Sequence, residues 1–117
     1  NEIEQALGAK QSSVMNLAGQ TSLRELLAVI KLCRVLLTND TGPMHIAAAL
    51  STPVVVPFGS TSPELTGPIS SRHVKHQLIK STVPCSPCFL RECPIDFRCM
   101  KEITVEKMVK SVLKAVA

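Results

Sequence analysis

Asp40, Thr41, Gly42 and His45 are the residues of this sequence best placed to do chemistry, because they stand where an apolar run gives way to an alanine-rich one. Leu36-Leu37-Thr38-Asn39 reads as a short strand that ends in polar residues, Gly42-Pro43 turns the chain, and Met44-His45-Ile46-Ala47-Ala48-Ala49-Leu50 reads as a helix. A strand that passes at once into a helix is how α/β sheets build anion sites. The first amides of a helix have no carbonyl to bond, and the aligned peptide dipoles give that end partial positive charge. The chemistry is recognition of a phosphate or diphosphate.

Each residue has a separate part in that cradle. Pro43 suits the first helical turn, where its missing N–H costs nothing, which predicts Gly42 as the N-cap. Beyond it the amides of Met44 and His45 are expected to be free, with the Thr41 hydroxyl and the His45 imidazole as further donors. Asp40 would repel a phosphate; its carboxylate is suited instead to accepting from sugar hydroxyls beside the phosphate, or from the loop backbone. The same residues also make an ordinary helix start, and a histidine there is as well explained by local packing.

The elements that must position this stretch follow from periodicity. Ser22-Leu23-Arg24-Glu25 is a capping box, and Leu23, Leu26, Leu27 and Ile30 line one face of a helix expected over Leu23 to Cys33. Arg34 to Thr38 and Pro53 to Phe58 predict strands; unalternating valine runs suit parallel strands covered on both faces. Val14 to Ala18 predicts a further strand, and Val74 to Ile79 an alternating one near an edge, with His73 and His76 facing solvent. Residues 1–10, with Ile3, Ala6 and Leu7 at helical spacing and Gly8 behind them, predict the end of a helix. Gly59 to Ser71, rich in Ser, Thr, Pro and Gly, predicts a loop at the same end of the sheet. Thr104 is expected to cap a last helix whose Val105, Met108, Val109, Val112, Leu113 and Val116 dock on the sheet. The fold class is α/β, a parallel sheet flanked by helices, with its ligand at the carboxyl ends of the strands.

Asp40-Thr41-Gly42-x-x-His45-x-Ala47-Ala48-Ala49, followed by Pro53-Val54-Val55-Val56-Pro57-Phe58-Gly59-Ser60-Thr61-Ser62-Pro63-Glu64-Leu65-Thr66-Gly67-Pro68, resembles the lipopolysaccharide heptosyltransferases of glycosyltransferase family 9, the heptosyltransferase II type above all. The likeness runs from about Val14 to the C-terminus. It implies a Rossmann-like fold that is part of the C-terminal, nucleotide-sugar-binding domain of a GT-B enzyme, with the N-terminal acceptor domain lying outside this chain. It also implies inverting transfer of heptose from ADP-heptose to the lipopolysaccharide inner core. By match to the motif, Thr41, Gly42, Met44 and His45 would bind the diphosphate, Asp40 the heptose, and Thr21 the adenosine side. No residue of this chain is expected to be the catalytic base, and the chain by itself is expected to be inactive.

Cys85-x2-Cys88-x4-Cys93-x5-Cys99 places four thiols in a loop over residues 84–100 broken by Pro84, Pro87 and Pro94. Structural zinc, a disulfide and free thiols are all compatible with that spacing, and no cofactor is assigned from it. Cys33, on a helix, is read as a core residue. Two other functions stay open at this point: a noncatalytic metal-binding module organised by the four cysteines, and a GT-B enzyme of other sugar specificity.

Composition narrows the partners. The chain has 117 residues, 45% of them hydrophobic, and a mean hydropathy of +0.24, which excludes a disordered polypeptide. Without Trp or Tyr, and with three Phe, it lacks stacking platforms for single-stranded nucleic acid. The net charge of +4 is uneven: residues 1–70 carry four Lys/Arg against five acids, and residues 71–117 nine against four. The basic half is read as a solvated face, with peripheral contact to an anionic membrane surface as the other use of such charge. No run approaches the about 20 apolar residues of a membrane span, and no signal peptide is evident, so a cytoplasmic location is expected.

Overall fold

A computed structural model describes Gln5, Ala6, Gly8 and residues 13–117. Its elements are α1 (Leu23–Leu32), β1 (Leu36–Leu37), α2 (Gly42–Ala49), β2 (Val54–Phe58), α3 (Pro63–Thr66), β3 (Gln77–Lys80), α4 (Arg98–Glu102) and α5 (Val105–Val116). The three strands form one parallel sheet in the order β1-β2-β3, with Leu36 beside Val54 and Val55 beside Gln77. Of the helix expected over residues 1–10, Gln5 and Ala6 are helical and the remainder, Gly8 apart, lies outside the described residues.

The capping box at α1 forms as its sequence requires: the Ser22 hydroxyl accepts from the Glu25 amide at 3.2 Å, and the Glu25 carboxylate accepts from the Ser22 amide at 2.9 Å. At the far end of α1 the buried Thr52 hydroxyl donates to the Ile30 carbonyl at 3.0 Å. Because Thr52 lies two residues before β2, this bond places the C-terminal end of α1 at the amino end of the sheet. Helix α1 therefore starts, at Thr21 and Ser22, toward the carboxyl end.

Successive residues of β2 point to opposite faces. Val54, Val56 and Phe58 pack with Ile30, Met44 and Ala47 under α1 and α2, all of them buried. Val55 and Pro57 point the other way, toward α5, which lies over β2 and β3. Burial of side chains such as these contributes about 1.5–3 kcal/mol each. The three alanines of α2 let it approach the strand closely, and its end is a Schellman motif: Thr52 N–H reaches the Ala47 carbonyl at 2.8 Å and Ser51 N–H the Ala48 carbonyl at 3.1 Å. Ser51 holds the left-handed position there, at φ +60°.

Pro57 sits in the central strand, where proline is unusual. The register explains why it is tolerated. Leu36 N–H bonds the Pro53 carbonyl and Thr38 N–H the Val55 carbonyl, so odd-numbered residues of β2 serve β1 and even-numbered ones serve β3. Pro57 falls on the β1 side, where it has no N–H to offer the Thr38 carbonyl. The ladder to β1 stops at that point.

Several expectations are corrected. Val14 to Ala18 is not a strand: the Asn16 side chain accepts from the Ala18 amide at 3.0 Å, turning the backbone away from an extended path. The loop over Gly59 to Ser71 contains the short helix α3, and the cysteine-rich segment runs into α4, which begins at Arg98. The last helix is capped by Thr104, whose hydroxyl accepts from Lys107 N–H at 3.3 Å, but its apolar stripe is only partly docked. Met108 and Val112 are half-buried, whereas Val105 is 75% and Leu113 62% exposed, because β1 offers only two residues beneath that end of the face. Cys33 is half-buried, its thiol donating to the Val29 carbonyl, and not a member of the closed core. Among the described residues no helix is long and apolar enough to cross a membrane.

Candidate functional site

The chain leaves β1 through Thr38 to Thr41 and turns into α2 at the carboxyl end of the sheet. The hydroxyls of Thr38 and Thr41 donate to the Asn39 carbonyl, at 3.2 and 3.3 Å, which folds the connection over itself. Thr41, not Gly42, is the N-cap, with extended backbone at φ −145° and no side-chain capping bond. Its hydroxyl is spent on Asn39 while its carbonyl accepts from the first turn, so Gly42 is the first helical residue and Pro43 the second.

This shift decides which amides are free. Met44 N–H donates to the Thr41 carbonyl at 3.1 Å, and Met44 itself is 0% exposed. The expectation that its amide faces a ligand is therefore corrected: Met44 is core, closed off because α2 begins one residue early. Thr41, Gly42 and His45 are exposed, and neither the Gly42 amide nor the His45 ring has a partner among the described residues. A Cβ built on Gly42 would meet nothing within 4 Å, and its φ is helical. The glycine is thus not demanded by the backbone; what it leaves open is the space in front of the helix.

Asp40 is half-buried, and its Oδ2 accepts from the Thr66 hydroxyl at 2.6 Å. Thr66 is the last residue of α3, so the loop after β2 is tied across to the loop after β1. The first turn of α3 is braced in turn by Glu64, whose carboxylate accepts from Lys80 at the end of β3 and from the Ser62 hydroxyl, both at 2.5 Å. Lys80 first and Ser62 second hold the Glu64 carboxyl down at about 2. The resulting rim runs Asp40, Thr66, Glu64, Lys80 across the carboxyl ends of all three strands. Beside it lies an open depression of about 440 Å³ lined by Leu37, Thr38, Asn39, Pro57 and Met108.

Thr21 is half-buried and directly precedes the cap of α1. It lies toward the same end of the sheet as Asp40, on the separate element α1. The sequence pattern missed Thr66 and Lys80. Thr66 lies 26 residues from Asp40 inside a stretch that reads as loop, and a lysine ending an edge strand reads as solvated charge.

His76 departs from its expected solvent-facing position. Its Nδ1 accepts from the Val54 amide at 3.1 Å, while Nε2 is buried with no hydrogen-bond partner among the described residues. Burial lowers its pKa below the ordinary histidine value, the Ile69 backbone opposing weakly. Its role is to continue the β2 ladder just below the start of β3, at the opposite end of the sheet from Asp40. His73 is exposed as expected.

Residues 1–97 match the family described as glycosyltransferase family 9 (heptosyltransferase). The chain is 34% identical over 115 residues to lipooligosaccharide heptosyltransferase 2 of Campylobacter jejuni, covering 97% of this chain and 36% of that protein. It is 44% identical over 73 residues to lipopolysaccharide heptosyltransferase 2 of Salmonella typhimurium, covering 62% of this chain and 21% of that protein. To lipooligosaccharide heptosyltransferase 2 of Haemophilus influenzae it is 42% identical over 80 residues, covering 68% and 23% respectively. The chain thus spans between about a fifth and a third of the length of these curated relatives. No solved structure matches it.

Proposed function

Because this chain belongs to glycosyltransferase family 9 (heptosyltransferase), we propose that it is the nucleotide-sugar donor side of a longer lipopolysaccharide heptosyltransferase, taking ADP-heptose. The observation that carries the reading is the exposed start of α2: Thr41 and Gly42 present backbone at a helix N-terminus, outside the carboxyl end of a parallel sheet, with open space in front of Gly42. Transfer from an ADP-sugar leaves negative charge on the departing diphosphate. Fixed amide dipoles aimed at that charge lower the barrier without having to reorganise. The exposed His45 ring adds a donor in the same turn.

Asp40 is suited to the sugar. With one carboxylate oxygen held by Thr66, its other oxygen keeps lone pairs for hydroxyl groups, and the tether fixes where they point. Thr21 is assigned to the adenosine side, at the same end of the sheet. The catalytic base and the inner-core acceptor site belong to an N-terminal domain outside this chain, so the chain alone binds donor and does not turn it over. Two features support a larger assembly: the outer edge of β1 has no strand beside it among the described residues, and Leu37, Val105, Val109 and Leu113 form an exposed apolar border next to that edge. We place the protein in the cytoplasm, in keeping with five unpaired thiols, with peripheral membrane contact through its basic half and no nucleic-acid partner.

The test is titration of the isotope-labelled chain with ADP and with ADP-heptose, read by amide chemical shifts. Saturable shifts at Thr41, Gly42 and His45 are expected from both ligands, with Asp40 and Thr66 responding further to the heptose. Shifts scattered elsewhere, or none at millimolar ligand, would overturn the assignment.

A further inference from the structure

All four cysteines of the residue 84–100 segment line one cavity of about 190 Å³, together with Gly59 and Met100. Their sulfurs arrive there from different local structures. Cys85 and Cys88 are exposed in the loop, Cys93 is half-buried, and Cys99 is buried on α4 against the end of β2. A Cβ on Gly59 would stand 3.1 Å from the Cys99 sulfur and 2.5 Å from that of Met100, so this wall of the cavity is closed by sulfur and backbone.

The segment around the cavity lacks other means of order. Residues 81–97 contain no helix or strand, and irregular loops of that length inside compact domains are generally either functional or disordered. The loop is pinned at its base, where Ser81 and Thr82 donate to Glu102, and in its first half, where Ser86 reaches the Gly59 carbonyl and Phe89 N–H the Ser60 carbonyl. Two non-glycine residues, Phe89 and Phe97, hold left-handed backbone at φ +58° and +57°. Such conformations are strained and persist where surrounding contacts impose them. Phe89 directly follows Cys88, and Phe97 turns its N–H onto the Cys93 sulfur at 3.3 Å. The Arg98 guanidinium, paired with Asp96 at 3.0 Å, belongs to a residue that lines the same cavity and brings a positive charge to the sulfurs.

From these features we propose that Cys85, Cys88, Cys93 and Cys99 form a tetrathiolate site for a zinc-class divalent cation that fixes this loop to the end of β2. Among the described residues no three metal-ligating side chains already stand in coordinating geometry. The site is assembled by the ion, as the thiols turn inward from the cavity wall through changes of χ1. Binding forms four metal–sulfur bonds of about 2.3 Å, with nothing oxidised or reduced and the thiol protons released to solvent. Arg98 offsets part of the excess negative charge of four thiolates on one dication. The ion takes no part in transfer chemistry, and the inference is independent of the donor-site reading.

Cobalt(II), then zinc(II), added to the reduced full chain tests this. One equivalent of cobalt should give sulfur-to-metal charge-transfer absorption and the intense visible bands of tetrahedral thiolate coordination. Zinc should displace it, leaving Cys33 as the one thiol open to a thiol reagent in the folded protein. The exposed-site variants Cys85→Ser and Cys88→Ser should each weaken zinc binding by more than the ~10–100-fold that loss of an outer-shell partner costs. They avoid the folding defect that substitution of buried Cys99 could bring. Weak pink octahedral cobalt spectra, zinc affinity unchanged in both variants, or a chain that forms a Cys85–Cys88 disulfide and takes up no metal when reduced would each overturn the proposal.

Discussion

The Thr66 hydroxyl stands 2.6 Å from Oδ2 of Asp40, joining the loop after β2 to the loop after β1 across the carboxyl end of the sheet. Through this bond the position of the proposed sugar-binding carboxylate depends on α3, a helix of four residues.

Thr66→Val removes the donor while keeping the shape of the side chain. Hydrogen bonds to charged groups are worth about 1.5–3 kcal/mol, and partial exposure of Asp40 reduces this toward about 1 kcal/mol. Affinity for ADP-heptose is expected to fall roughly five- to tenfold while that for ADP changes little, as calorimetric titration of both ligands would show. Equal losses for both ligands would mean that Thr66 only supports the loop.

Gly42→Leu separates folding from binding. With open space at the Cβ position and a helical φ, the variant should keep its thermal midpoint or gain up to about 1 kcal/mol of helix propensity. Its side chain would cover the exposed start of α2, so ADP binding should drop by at least tenfold. A variant that unfolds, or that binds ADP normally, contradicts the placement of the diphosphate there.

His76 makes stability depend on pH in a defined direction. Burial lowers its folded pKa below the value of 6.5 that it holds when unfolded, so the unfolded chain binds more protons over that interval. Its contribution is present above about pH 6.5 and is lost as pH falls through the lowered folded value. In His76→Gln, whose amide oxygen can still accept from Val54, the thermal midpoint should lose less between pH 7.5 and pH 5.5 than in the parent chain. Glu64 and Glu102, both held at about 2, act in a separate window below their ordinary 4.5.

Ser51→Gly relieves the left-handed residue that ends α2. An L side chain in that conformation costs roughly 1–2 kcal/mol, offset in part by the greater freedom of glycine in the unfolded chain. A net gain of about 0.5–1 kcal/mol is expected by denaturant unfolding, with ligand binding unchanged because Ser51 lies at the far end of α2 from Gly42.

What could be read from the sequence was local. The capping box at Ser22 and Glu25, the buried valines of β2 and the helix begun at Gly42-Pro43 each follow from neighbouring residue types. The Asp40 to Thr66 tether, the Lys80 to Glu64 to Ser62 brace and the capture of the Val54 amide by His76 join residues far apart, and no periodicity announces them. The N-cap falls at Thr41 because its backbone is extended and its carbonyl accepts from Met44, and only the folded loop shows that its hydroxyl goes to Asn39. The apolar stripe of α5 was legible as a stripe; how much of it the sheet covers depends on the length of β1.

That length follows from Pro57. A valine at this position would supply the amide that the Thr38 carbonyl lacks, and β1 could zip onward through Asn39. The residues that now arch over the strand ends would then lie flat in the sheet. A missing hydrogen atom in the middle strand therefore decides where the chain is released to curve, and with it where a concave mouth can exist at all.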